Sequence, residues 1–199
     1  MEYWREISRY TRKLYDKGHM GSHSGNLSVR VGDRMVIKRR GAASDEIGPE
    51  DVVDMPIAGG AGASGIILAS TESYVHRAIY RATSALAVVH AHPPYAIAAS
   101  LVYDEILPLD EDGEYFLKKV PVVAVDRTSG SAELAEQVSA ALKGYKGVIV
   151  RGHGTFTTGM ILEEAYLVSC QIELACQIRY LVDLSGRPLL RELTHLKAW

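Results

Sequence analysis

The sequence is short of cysteine, of long apolar runs and of net charge, and each shortage closes off a class of protein. Its two cysteines, Cys170 and Cys176, lie in one helix-like stretch. Six residues apart, their side chains point in different directions, so no disulfide is expected and both read as buried thiols. No apolar run approaches the roughly 20 residues of a membrane-crossing helix. The opening Met1-Glu2-Tyr3-Trp4-Arg5-Glu6 lacks the basic start and apolar stretch of a secretory leader. A soluble, cytoplasmic protein with no membrane partner is the expectation. A formal charge of −2 and a pI near 6.4 give no overall attraction to nucleic acid, which is therefore not an expected partner. Repeats, low-complexity tracts and linkers are missing as well, so residues 1–199 read as one domain.

What is present has ordinary bulk, with 47% hydrophobic and 23% charged residues, as in a globular domain with a single core. Trp4, Ile7, Thr11 and Leu14 fall at helical spacing, predicting a helix over 2–17 that ends at Gly18. Asn26 to Val31 and Arg34 to Lys38 favour strands, and Gly32-Asp33 between them suits a two-residue hairpin turn. A strand is expected at Val52 to Met55, and Gly59 to Gly65 reads as a mobile loop. Then follow a helix over 71–84, a buried strand from Leu86 to Ala91 and a helix from Pro93 to Val102. A strand is expected at Val120 to Val125, a helix at Ala132 to Lys143, a strand at Gly147 to Arg151 and a long helix over 161–184. The class is α/β or α+β, one sheet with helices packed on it.

His90-Ala91-His92 ends an apolar strand, and the two-residue period of a strand sends both imidazoles to the same side, where they can share one ion. Imidazole suits Zn²⁺, Cu²⁺, Fe²⁺ or Ni²⁺, and a catalytic zinc site takes three protein ligands and keeps one position open. His153 is the best third ligand, because it follows the apolar Val148-Ile149-Val150 and has a glycine on each side that permits close approach. The competing reading is that each is an ordinary hydrogen-bonded histidine. Glu72 and His76, four residues apart on one helix face, are further candidates, with His76 read as a packed supporting histidine rather than a ligand.

In order and spacing, Gly25-Asn26-Leu27-Ser28, Ser70-Thr71-Glu72 leading into Tyr74-Val75-His76, His90-Ala91-His92 and His153-Gly154 resemble the class II aldolase/adducin family over roughly residues 2–185. The resemblance implies a three-layer α/β/α fold on a mainly antiparallel central sheet, and a homotetramer with active sites between subunits. It implies one Zn²⁺ per subunit on His90, His92 and His153, with Glu72 able to ligate the metal and to act as base. It also implies a phosphate or anion cradle of Gly25, Asn26, Gly41, Ser70 and Thr71, to which this sequence's own Arg40 is added as a candidate. Ser70 and Thr71 at a helix start offer hydroxyls and free N–H groups to an anion, although simple capping needs the same residues.

One departure bears on the substrate. Lys38-Arg39-Arg40-Gly41 stands where the family's aldolases carry Thr-Pro-Thr/Ser-Gly, so a neutral hydroxyl contact is replaced by guanidinium, which grips phosphate or carboxylate through paired hydrogen bonds. The alternative is a solvated hairpin end. The family's proton-donating tyrosine has no clear counterpart, since Tyr115 lies several residues off register. The expected activity is reversible aldol cleavage of a phosphorylated ketose of the L-fuculose-1-phosphate type, acting on a small anionic carbonyl compound. A decarboxylase or 4-epimerase of the same family is the alternative, in which Arg39 and Arg40 hold a substrate carboxylate or phosphate. A non-catalytic adducin-like interaction module is the reading from another class.

Overall fold

The computed structural model describes residues 2–59 and 68–190. Helix α1 (Tyr3–Asp16) buries Ile7, Tyr10, Thr11 and Leu14 along one stripe, as its spacing predicts. Strands β1 (Asn26–Val31) and β2 (Arg34–Lys38) pair antiparallel with Val31 opposite Arg34, and Gly32 takes the positive φ of +61° in the turn. Strand β3 (Val52–Pro56) lies on the far side of β2. The loop expected from Gly59 to Gly65 falls, apart from Gly59, outside the described residues.

Helix α2 (Ser73–Ala82), strand β4 (Ala87–Ala91) and helix α3 (Pro94–Ser100) follow where expected, each a little shorter. Two unexpected elements come next, the two-residue strand β5 (Glu105–Ile106) and helix α4 (Glu111–Leu117). The α4 start was legible in principle, because Asp110 caps it by accepting the Gly113 N–H at 2.9 Å. Strand β6 (Val120–Val123), helix α5 (Ala132–Ala141) and strand β7 (Gly147–Val150) lead to a third unexpected element, strand β8 (Gly154–Gly159), before helix α6 (Leu162–Ser185).

The eight strands form one sheet in the order β3-β2-β1-β4-β8-β7-β6-β5, antiparallel throughout except for the parallel pair β6–β7. Alternation along the strands sends residues to two cores. Leu27, Val89 and Ala91 pack with Ile7 and Leu14 of α1 and Ala165 of α6. Met35, Val88, Val148 and Phe156 pack with Val75 and Ile79 of α2 and Leu134 of α5. Helices α3 and α6 close the first face over β6 and β7. The three-layer α/β/α arrangement with a mainly antiparallel sheet therefore holds. No described helix is long and apolar enough to cross a membrane. Both cysteines are free thiols, Cys176 buried and Cys170 half-buried.

Candidate metal centre

Central strands carry the histidines to one end of the sheet. In the ladder, His90 of β4 stands opposite Phe156 of β8, and its ring stacks on Phe156 with centroids 4.1 Å apart and planes 13° from parallel. Its Nδ1 lies 2.9 Å from the Thr155 carbonyl. A carbonyl only accepts, so Nδ1 carries the proton and Nε2 keeps a free lone pair. His92, just beyond the strand, turns its own Nε2 to 3.0 Å from His90 Nε2. His153 sits in the turn from β7 to β8, its ring centroid 4.9 Å from that of His90 and 5.1 Å from that of His92.

One ligand nitrogen from each ring lies within 4.8 Å of the others. Burial holds all three imidazoles neutral: His90 falls well below its ordinary pKa, His92 drops to about 4, and His153 is lowered also. Close approach depends on Gly154, where an added Cβ would stand 2.3 Å from the Ala91 carbonyl oxygen and 2.8 Å from the His92 ring.

Glu72 is 97% buried at the start of α2. Its Oε1 accepts the Ser129 hydroxyl at 2.8 Å, whereas Oε2 is buried without a hydrogen-bond partner. Burial raises its pKa, partly offset by hydrogen bonds from Ser129 and the Gly130 backbone. Three neutral imidazoles with converging nitrogens and an unsatisfied buried carboxylate oxygen form a donor set that fits a metal ion. His76, one turn along α2, is wholly buried; its Nδ1 lies 2.7 Å from the Ser28 hydroxyl, which meets the Tyr80 hydroxyl at 2.7 Å. It is packed, and burial pushes its pKa down to about 3.

A cavity of about 180 Å³ brings together Gly25, Asn26, Arg40, Gly41, Ser70, Thr71, Glu72, His90, His92 and His153. Asn26 donates to the Ser70 hydroxyl at 2.9 Å. Gly25 has a φ of +70° and sits against the His90 carbonyl, where an added Cβ would approach to 2.9 Å. Sequence reasoning missed His23, Ser24, Lys38 and Ser129, which line the same cavity. Lys38 was the most detectable, as the first of three consecutive cations at the end of an apolar strand. It is 99% buried, its ammonium 3.4 Å from the Gly25 carbonyl, and burial lowers its pKa to about 8. Arg39 is held by Asp51 at 2.6 Å, while Arg40 makes no ion pair among the described residues. Arg40 also lines an adjoining cavity with Ser70, Thr71 and Arg127. Tyr115 stands on α4, 58% exposed and outside the cavity.

Residues 5–180 match the Class II Aldolase and Adducin N-terminal domain. The structure is similar to that of L-fuculose-1-phosphate aldolase from Thermus thermophilus, with a TM-score of 0.88 and 34% identity over 94% of this chain and 98% of that one. In sequence it is 29% identical to an L-fuculose phosphate aldolase of Methanococcus maripaludis over 85% of this chain and 92% of that protein. A 93-residue stretch, 46% of the chain, is 43% identical to a Nocardia farcinica protein named "Probable bifunctional methylthioribose-1-phosphate isomerase/methylthioribulose-1-phosphate dehydratase" and spans 17% of that protein's length.

Proposed function

Since the chain belongs to the class II aldolase and adducin family, we propose that it is a zinc-dependent lyase that reversibly cleaves a phosphorylated ketose to dihydroxyacetone phosphate and an aldehyde. The observation that carries this reading is a single cavity shared by three converging histidines, a buried carboxylate and the segments that bring Gly25, Asn26, Arg40, Gly41, Ser70 and Thr71 to its lining. In this reading His90, His92 and His153 hold zinc, as homotetrameric subunits of a cytoplasmic enzyme. When bound there, zinc supplies a Lewis acid beside the substrate carbonyl.

Glu72 is the base. Its unpartnered Oε2 accepts the proton leaving the carbon next to the ketone, and its burial brings its pKa nearer to neutrality than that of a free carboxylate. Ser129 fixes the other oxygen and so the direction in which Oε2 points. Gly25, Asn26, Arg40, Gly41, Ser70 and Thr71 hold the phosphate, with the Lys38 ammonium adding charge behind them.

The test is proton exchange. Zinc-loaded protein is incubated with dihydroxyacetone phosphate in D₂O without aldehyde, and deuterium at the hydroxymethyl carbon is followed by NMR. Stereospecific exchange that needs zinc and is lost in Glu72→Gln supports the reading; a folded, zinc-loaded protein that exchanges nothing rejects this donor. The stretch resembling the isomerase/dehydratase protein favours a second reading, dehydration of a sugar phosphate, which begins with the same proton loss beside a ketone. Release of water from methylthioribulose 1-phosphate, with no aldehyde formed, selects it. A decarboxylase or 4-epimerase would instead give carbon dioxide or an epimer. An adducin-like interaction module would give no product at all.

A further inference from the structure

Two of the three histidines are tied together by a path that avoids the sheet. His92 is followed by Pro93 and then by α3, seven residues long. The first position of α3 is Pro94, which has no N–H; the next two N–H groups, of Tyr95 and Ala96, both donate to the Glu173 carboxylate of α6, at 3.0 Å to Oε1 and 2.8 Å to Oε2. With the Ile97 N–H bonded to the Pro93 carbonyl at 3.0 Å, the whole first turn is satisfied. At the other end, the buried Ser100 hydroxyl accepts the Gly152 N–H at 2.9 Å, and the Arg151 guanidinium donates to the Ser100 carbonyl. Gly152 immediately precedes His153.

A buried carboxylate is a costly way to cap a short helix. Glu173 is 95% buried and has no cation partner among the described residues, so only the two N–H groups compensate for its lost hydration. An apolar residue at 173, facing Ala96 and Ala99 in the core that α3 shares with α6, would avoid that cost but leave two buried N–H groups orphaned and the start of α3 free to shift. His90 does not depend on this path, being fixed by Phe156 and Thr155. The His92 ring, by contrast, makes no hydrogen bond among the described residues except the contact with His90, so it is placed by its backbone, anchored on one side where the His92 N–H donates to the His19 carbonyl at 2.8 Å and led into α3 on the other.

We propose that Glu173 is a positioning residue for the metal site: together with the Ser100–Gly152 link it makes α3 a brace that sets the separation of His92 and His153. This rests on the reading of the three histidines as metal ligands. The brace acts on geometry alone, since Glu173 does not line the cavity.

The test loads Co²⁺ into the intact protein and records its visible ligand-field spectrum and its affinity by chelator competition for wild type, Glu173→Gln and Ser100→Ala. Gln matches the shape of Glu but replaces one acceptor with an NH₂ group facing a backbone N–H. The expected result is Co²⁺ binding weakened by about 10–100-fold, the usual effect of losing a ligand's support, with a changed spectrum in both variants. Thermal melting is measured in parallel. A lower melting temperature with unchanged spectrum and affinity would make Glu173 a helix cap only and overturn the proposal. Should Glu173→Gln fail to fold, Ser100→Ala decides alone, by the same criteria. Wild type that takes up no Co²⁺ at the histidines rejects the metal reading and the brace with it; wild type and variants binding identically reject only the brace.

Discussion

Asn26 and His90 stand opposite one another across the β1–β4 ladder, so a residue proposed to hold the substrate anion and the first histidine of the candidate metal cluster share one rung of the sheet. In the proposed function, the spacing between the anion and the metal would thus be set by backbone pairing at this rung. That is the arrangement a reaction needs when a phosphate must place a carbonyl several ångströms away within a narrow tolerance.

Replacing His92 or His153 with alanine leaves two imidazoles where three converge. Metal content after dialysis, measured by plasma mass spectrometry, is expected to fall from about one ion per chain toward none. Retention of a full equivalent in both variants would place the metal elsewhere.

Ser129→Ala removes the hydroxyl that holds Glu72 Oε1. That hydrogen bond favours the charged carboxylate, so its loss raises the Glu72 pKa further. A base must be ionised, so the acid limb of the exchange rate should move to higher pH, with a lower maximum from poorer orientation. An unmoved acid limb would show that Glu72 is not the titrating base.

Lys38→Met exchanges a buried ammonium for a neutral chain of similar length. The lysine pKa falls from 10.5 to about 8 on folding, so at pH 7 the folded state bears a penalty on the order of 3 kcal/mol. Sign follows directly: between pH 8 and 10.5 the unfolded chain binds the extra proton and stability climbs with pH, while below pH 8 the penalty is fully present. The variant should melt higher at pH 7 yet bind inorganic phosphate more weakly, both readable by calorimetry. Tighter phosphate binding would remove Lys38 from the anion site.

His76 titrates near 3 in the folded protein against 6.5 for an ordinary histidine. As pH drops below about 6.5 the unfolded chain takes up a proton that the folded one refuses, so stability declines from there toward pH 3. In metal-free protein, urea denaturation at several pH values should show this decline, and His76→Gln should flatten part of it. Identical slopes would place His76 in water rather than in the core.

Gly154→Ala drives a methyl group into the Ala91 carbonyl and the His92 ring. Backbone cannot yield as a flexible side chain does, so the cost should be on the order of 1–3 kcal/mol, with metal affinity reduced alongside. Unchanged affinity would mean that β4 and β8 separate without disturbing His92.

Much of this site was legible because strand geometry is simple. The period of two placed His90 and His92 on one side, and the apolar run before them marked a central strand. Their meeting with His153 was not readable from spacing, because β8 is bounded by glycines and has Phe156 as its one large apolar residue. Thr155 and Thr157 are nonetheless wholly buried, their hydroxyls turned to backbone carbonyls, as in Thr157 to Ala165 at 2.7 Å; a threonine-rich buried strand defeats a hydrophobicity pattern. The glycine-flanked His153 and the helix-start Glu72 were candidates from the residues themselves, while the family resemblance supplied the link between them, Glu72's role as base and the anion-binding residues. Ser129 gave no signal, since an exposed turn residue becomes functional solely through what folds against it.

The pairing of β4 with β8 joins residues more than sixty positions apart, as in His90 with Thr155. A chain must close that long loop before the histidine cluster exists, so hydrophobic association of the sheet has to come first. Metal would therefore enter after the rate-limiting step, leaving the refolding rate nearly untouched while slowing unfolding, so that the ion acts as a lock on a finished structure rather than as a seed for it.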